Sequence, residues 1–208
     1  MKFLRLVSRG LASVKPVSVT RSLTSSTGIV SCDIEDIAIP DLTWSQMCFS
    51  RIDRYPKPNI DLNNKNISLS ANTALVDGVS GKSFSLSEVR DLSRRLASGL
   101  LRLGCDPGDV VAAVLPNCPE YAILFMAASE AGLVLTTLNP VYTPGEIRGQ
   151  LTNSEARVVV TSHTLIDKVQ EAIAGTDIRT VVMGDTFGVI GDTAFHNLLA
   201  DKGDLVTE

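Results

Sequence analysis

The sequence predicts an α/β fold built on a largely parallel sheet, and three observations carry that reading. From Leu75 onward, short β-branched runs alternate with helical patterns, the order that builds β–α–β units. Helix starts are written as a capping acceptor three residues ahead of a Glu, in Ser85-Leu-Ser-Glu88, Asn117-Cys-Pro-Glu120 and Thr143-Pro-Gly-Glu146. Helix stops fall on Gly104, Gly132 and Gly175, since glycine closes a last turn in the left-handed conformation at least cost.

Taken in order, the strands expected are Ala74 to Asp77, Val110 to Leu115, Leu133 to Leu138, Arg157 to Thr161 and Arg179 to Met183. Four helices lie between them. The first, from the Ser85 cap, spaces Val89, Leu92, Leu96, Leu100 and Leu103 so that one apolar stripe faces a sheet. Asp106-Pro-Gly-Asp109 then turns the chain into the next strand, with Pro presetting φ and Gly permitting the reversal. The second helix starts at Asn117 and the third at Thr143; Thr164-Leu-Ile-Asp167 is a weaker start for the fourth. Ahead of these elements, Ile39 to Arg54 reads as an ordered arm with a short helix near Trp44 to Ile52, in which Trp44 is a packing anchor. Pro56 to Asn72, polar in Asn63-Asn-Lys-Asn66, reads as a loop or insertion.

Charge divides the chain. The 208 residues are 44% hydrophobic and carry a net charge of -4, which excludes global disorder and argues against a nucleic-acid module with its basic footprint. Residues 1–32 hold Lys2, Arg5, Arg9, Lys15 and Arg21, no acid and ten Ser or Thr. An Arg-rich, Ser-rich, acid-free leader predicts a mitochondrial transit peptide and a matrix location; a cytoplasmic or peroxisomal protein is the alternative. Secretory signals need an unbroken apolar stretch, and Arg5, Arg9 and Lys15 interrupt each candidate. Asn66-Ile-Ser68 matches a glycosylation acceptor that a mitochondrial protein would never present to the glycosylation machinery. Tyr121 to Leu138 is broken by Glu130 and Gly132 and reads as core, not as a membrane span.

Motifs that carry chemistry need particular residues at particular spacings, and the candidates in this sequence depart from them. Gly78-Val-Ser-Gly81-Lys82-Ser83 has too few residues between its glycines to wrap a phosphate, and predicts a hairpin turn introduced by Asp77. It also lacks the last glycine of a nucleophile elbow. Ser162 and His163 are adjacent at a strand end and face opposite sides, so His163 reads as a surface or helix-start residue; His196 has no recognisable partner. Cys32, Cys48, Cys105 and Cys118 lie 16, 57 and 13 residues apart, which supports free thiols over a zinc site or a disulfide framework. No G-x-G-x-x-G follows a strand. Asn117 to Glu120 could hold an anion at a helix start, but Glu120 competes for the same amides and capping is favoured. No catalytic residue, cofactor ligand or metal ligand is therefore assigned.

A resemblance adds to this reading. Phe84-Ser-Leu-Ser-Glu-Val89, Gly104-Cys-Asp-Pro-Gly-Asp-Val-Val-Ala112, Leu115-Pro-Asn-Cys-Pro-Glu-Tyr121 and Glu130-Ala-Gly132 resemble the amino-terminal part of AMP-forming acyl-CoA synthetases. Thr137-Leu-Asn-Pro-Val-Tyr-Thr-Pro-Gly-Glu146 is most similar to the branch holding 4-coumarate-CoA ligases and beetle luciferases, and Ile39-Pro-Asp-Leu42 with Arg51-Ile-Asp-Arg-Tyr55 to the arm those proteins carry. The resemblance implies an incomplete, Rossmann-like layered subdomain of the adenylate-forming enzymes. It also implies a ligase that adenylates a small carboxylic acid with Mg-ATP and passes the acyl group to CoA. On that basis residues 1–32 are the transit peptide, 33–73 the extended arm and polar loop, and 74–208 the amino-terminal part of a truncated AMP-binding domain.

The family's Gly-rich phosphate loop and later catalytic motifs have no matching positions in this sequence. The chain alone is therefore expected to be inactive, with ATP, Mg and CoA belonging to the full-length protein. Because later strands complete the sheets of that family, unpaired edges are expected as well. The competing expectation is a short non-catalytic binding or assembly partner of the full-length synthetase. An unrelated nicotinamide oxidoreductase is disfavoured by the missing glycine fingerprint.

Overall fold

The computed structural model describes residues 40–52, 73–183 and 193–206. The leader at 1–32, the loop at Pro56 to Asn72, the Asn66 acceptor and Cys32 lie outside them. Helix α1 (Trp44–Ile52) starts on a reciprocal cap: the Thr43 hydroxyl accepts from the Gln46 amide at 3.2 Å, and the Thr43 amide donates to Gln46 Oε1 at 2.9 Å. Trp44 meets Phe125 edge to face at 5.1 Å, but the two rings are 48% and 42% exposed, so it anchors by one edge only. Phe49 carries the deeper burial, under the Arg90 guanidinium.

Strands β1 (Thr73–Val76) and β2 (Ser83–Ser85) pair antiparallel as a separate two-stranded sheet. The first expected strand is thus present but outside the parallel sheet. Between them, Asp77 Oδ1 accepts from the Val79 and Ser80 amides at 2.7 and 2.9 Å, and Gly81 turns the chain at φ 74°. The turn expected at Gly78 to Gly81 forms.

Helix α2 (Leu86–Arg102) begins with the expected capping box of Ser85 and Glu88. Strands β3 (Val110–Val114), β4 (Val134–Leu138), β5 (Ala156–Ser162), β6 (Arg179–Met183) and β7 (Thr193–Ala194) then form a parallel sheet in the order β4-β3-β5-β6-β7. The intervening helices are α3 (Pro119–Glu130), α4 (Pro144–Asn153) and α5 (Ile166–Ile173), with α6 (Phe195–Leu199) after β7. β7 is too short for periodicity to reveal, and the sequence reading omits it.

Two capping expectations fail. Cys118, not Asn117, precedes α3, and it makes no side-chain cap; Glu120 reaches instead to Lys82 Nζ at 2.6 Å. Pro119 has already removed one donor from that turn, and a side chain one residue too early cannot meet the remaining amides. Thr164 sits inside a short 3₁₀ turn, His163–Leu165, and bonds the Ser162 hydroxyl at 2.9 Å, so α5 starts without a side-chain cap. Thr143 and Glu146 do form a capping box for α4. Gly104, Gly132 and Gly175 all take left-handed φ, at 94°, 67° and 78°.

Strand periodicity separates the core into two faces. Val111, Ala113, Val158, Val160 and Val181 pack toward α2, α3 and α6, against residues such as Leu96, Leu100, Ile123 and Leu124. Ala112, Val114 and Val159 point the other way, toward Ile147 and Leu151 of α4 and Val169 and Ala172 of α5. Each fully buried Val or Leu contributes roughly 1.5–3 kcal/mol relative to exposure, so β3 and β5, apolar on both faces, are the thermodynamic centre. Among the described residues no helix is long and apolar enough to cross a membrane.

Candidate functional site

Connectivity places a cleft at the carboxyl ends of β3 and β4. The chain leaves β3 toward α3 on one face of the sheet and leaves β4 toward α4 on the other, so the two loops part over adjacent strands. The strand order is that of the flavodoxin-like doubly wound sheets. Their switch point, where open α/β sheets bind ligands, falls here between β3 and β5, so the cleft opens beside the switch point at the same carboxyl end of the sheet. The cleft has a volume of about 530 Å³; Leu115, Pro116, Asn117 and Tyr121 form one wall, and Thr137, Leu138, Asn139 and Pro140 the other.

Both walls are held by hydrogen bonds. Asn139 closes the loop after β4: its Oδ1 accepts from the Val141 amide at 3.1 Å and its carbonyl from the Tyr142 amide at 3.0 Å. Lys168 Nζ, reaching from α5, donates to the Pro140 carbonyl at 3.0 Å. On the opposite wall the Lys82–Glu120 pair ties the β1–β2 turn to the first turn of α3, and Lys82 also lies over the Phe84 ring at 4.9 Å. Prolines ending both strands, in Leu115-Pro116 and Leu138-Asn139-Pro140, were the available sequence signal for this cleft.

The lining is uncharged, with Asn117, Tyr121, Thr137 and Asn139 as its polar side chains. Cys118 sits beside it, but burial pushes its thiol pKa up, against the pull of the Tyr121 and Glu120 amides. A thiol held protonated is a poor nucleophile. His163 is exposed at the end of β5, where Ser162 is bonded to Thr164. His196 is exposed on α6, well along the chain from the cleft residues. Cys48, Cys105 and Cys118 are free thiols, as expected. Among the described residues no group of His, Cys, Asp and Glu could hold a metal ion. No step of nucleotide chemistry is assigned to these residues.

A second cleft, of about 490 Å³, lies at the amino ends of β5 and β6 beside Arg157, Asp177 and Arg179. Arg157 is paired with Asp109 at 2.7 Å there. Open α/β sheets bind at the opposite edge.

Comparison with known proteins agrees with this architecture. Residues 68–201 match the family described as AMP-binding enzyme. 4-Coumarate–CoA ligase 3 of Oryza sativa subsp. japonica is 36% identical over 168 residues, which cover 80% of this chain and 27% of that protein. Among solved structures, a benzoate CoA ligase from Burkholderia xenovorans LB400 superposes with a TM-score of 0.60 at 24% identity, covering 77% of this chain and 29% of its own. A red-emitting luciferase from Phrixothrix hirtus gives 0.58 at 20% identity, covering 65% and 35%. At those identities the two structures speak for the fold alone. The chain thus spans about a quarter of the length of its rice relative. With the family matched across most of the sheet and its helices, the chain belongs to the AMP-binding enzymes.

Proposed function

We propose that this chain is the amino-terminal portion of a carboxylic acid–CoA ligase, which adenylates its acid with Mg-ATP and transfers the acyl group to CoA. One observation carries the reading: a named CoA ligase is 36% identical across 80% of the chain. Adenylation makes the carbonyl attackable, and a thiolate then displaces AMP. In this proposal, residues 74–208 supply a packed layer of the catalytic domain, and the 208-residue chain alone does not catalyse adenylation. The match over only 27% of the rice ligase, and the lack of a Gly-rich phosphate loop in the sequence, support that division. The basic, acid-free leader directs the protein to the mitochondrial matrix, and residues 33–73 form the arm ahead of the domain.

Two measurements test the proposal. ATP–pyrophosphate exchange by the purified chain, across aromatic and aliphatic acids, is expected to equal a heat-killed control; exchange above it overturns the inactive-portion reading. An antibody raised against residues 115–146 should detect, in mitochondria, a protein much larger than 208 residues. A single band at the size of this chain, co-purifying with a full-length ligase, would establish the assembly-partner reading in its place.

A further inference from the structure

We propose that residues 193–206 form a charge-latched strap, which releases from α2 as one unit while the parallel sheet stays folded, with Arg102 as its latch. Little of this segment is held by its own secondary structure. β7 contributes two residues to the sheet, and α6 is five residues long, well short of the length at which a helix is stable by itself. Burial is sparse as well. Phe195, Leu198 and Val206 are the large apolar side chains that the strap sinks into the core, whereas β3 buries four of its five residues. A segment of that kind lies at the low end of local stability, and its closure depends on what ties it down.

The ties converge on α2 at Arg94, Ser98 and Arg102, positions four apart and so on one side of that helix. Arg102 Nε pairs with Asp201 at 2.8 Å, and a second nitrogen of the same guanidinium reaches Asp204. Ser98 Oγ accepts from the Leu205 amide at 3.4 Å, and Arg94 donates to the Val206 carbonyl at 3.3 Å. Asp201 also shapes the strap itself, accepting from the Gly203 amide at 2.9 Å where Gly203 turns the chain at φ 72°.

Of these ties only the Arg102 pairs join opposite charges, and both carboxylates sit on the strap. Loss of one guanidinium therefore loosens the strap at two points without touching the sheet. Arg102 lies in the last turn of α2 and its side chain is half exposed, so dissolved salt screens both pairs. An open strap bares Ser98 and Gly99 on α2, where Leu198 packs closest, and the side of β6 that β7 covers. Ionic conditions thus set how often that surface is available.

Amide hydrogen exchange of the purified full chain, resolved by NMR, tests the strap. The amides of Ala200, Asp201 and Leu205, bonded to His196, Leu198 and Ser98, report the strap, and those of β3 and β5 report the sheet. In the wild type the strap amides should be protected, yet exchange about 10-fold or more faster than the sheet amides. Arg102→Met, which keeps the apolar stem and removes the charge, should speed the strap amides by about 5-fold or more and the sheet amides by less than about 2-fold. Asp204→Asn, at an exposed position, is a milder second variant that should move the same amides in the same direction. Raising NaCl from about 0.05 to about 1 M shortens the Debye length to about 3 Å and should speed the wild-type strap amides by about 3-fold, but not those of Arg102→Met. Strap amides that exchange together with the sheet, or without protection, overturn the proposal. So does an Arg102→Met effect that is absent or spread equally over strap and sheet, or a salt response that survives in Arg102→Met.

Discussion

Gly99 and Gly149 both occupy helix interiors, and the structure requires that the same substitution act with opposite sign at the two. In α4, an added Cβ at Gly149 meets nothing within 4 Å. Replacing glycine with alanine in a helix gains about 0.5–1 kcal/mol from reduced unfolded-state freedom and better propensity. Gly149→Ala is therefore expected to stabilise the chain by that amount, raising Tm by roughly 1–4 °C for a chain of this size. At Gly99 in α2 the propensity term is the same, but the added Cβ would stand 2.9 Å from both the carbonyl oxygen and the Cβ of Leu198. Those atoms belong to α6 and its backbone, which cannot rotate aside as a flexible side-chain tip can. The segment after α6 is also fastened to α2: Arg102 bonds Asp201 at 2.8 Å and reaches Asp204, while Arg94 donates to the Val206 carbonyl at 3.3 Å. Overpacking of this kind costs roughly 1–3 kcal/mol, so a net loss of about 1–2 kcal/mol is expected for Gly99→Ala. Urea unfolding followed by circular dichroism should then separate the two variants by about 2–3 kcal/mol, with unchanged m-values. If Gly99→Ala stabilises the chain as much as Gly149→Ala does, the close crossing of α2 and α6 is wrong.

Two further outcomes follow from caps and charge. Thr143→Ala should cost about 1 kcal/mol, as loss of a working N-cap does, whereas Asn117→Ala should cost almost nothing because Asn117 does not cap α3; equal losses in thermal unfolding would restore the capping box expected from Asn117 and Glu120. Glu130 is half-buried, and that burial raises its carboxyl pKa despite the opposing pull of Arg94 and Arg90. A raised folded pKa means that the folded state holds the proton more tightly, so this group's contribution is fully present below the ordinary Glu range. It is lost as pH rises through the folded value. Glu130→Gln should accordingly raise Tm at neutral pH and leave it unchanged in acid; a variant that lowers Tm at neutral pH would show the ionised carboxylate to be stabilising.

How much was legible beforehand depended on whether a signal was local. α1 appears over the residues expected, and β3 to β6 match their expected runs within a residue or two, because each has the length and periodicity that burial on one or both faces demands. The left-handed stops at Gly104, Gly132 and Gly175 were readable for the same reason: the requirement lies in a single residue's φ. The cap at Asn117 misled because the motif matched a pattern whose geometry Cys118 and Pro119 had shifted by one position. Of the cleft, only the prolines that end β3 and β4 were visible in the sequence; the pairing of its two walls was not, since Tyr121 and Thr137 become neighbours only when β3 and β4 lie side by side.

By itself, then, the sequence determined the α/β class, the punctuation of its helices, the charge division at residue 32 and the resemblance to acyl-CoA synthetases. Each rests on composition or on spacings within one or two turns of chain. Tertiary structure alone decided that β1 leaves the parallel sheet for a hairpin, that β3 lies between β4 and β5, and that Glu120 serves Lys82 instead of its own helix. These are relations between segments far apart in the chain, set by which apolar faces pack together and which peptide groups find partners. No local pattern encodes them, because the same strand Val134-Leu-Thr-Thr-Leu138 would read identically at the centre of a sheet or at its edge.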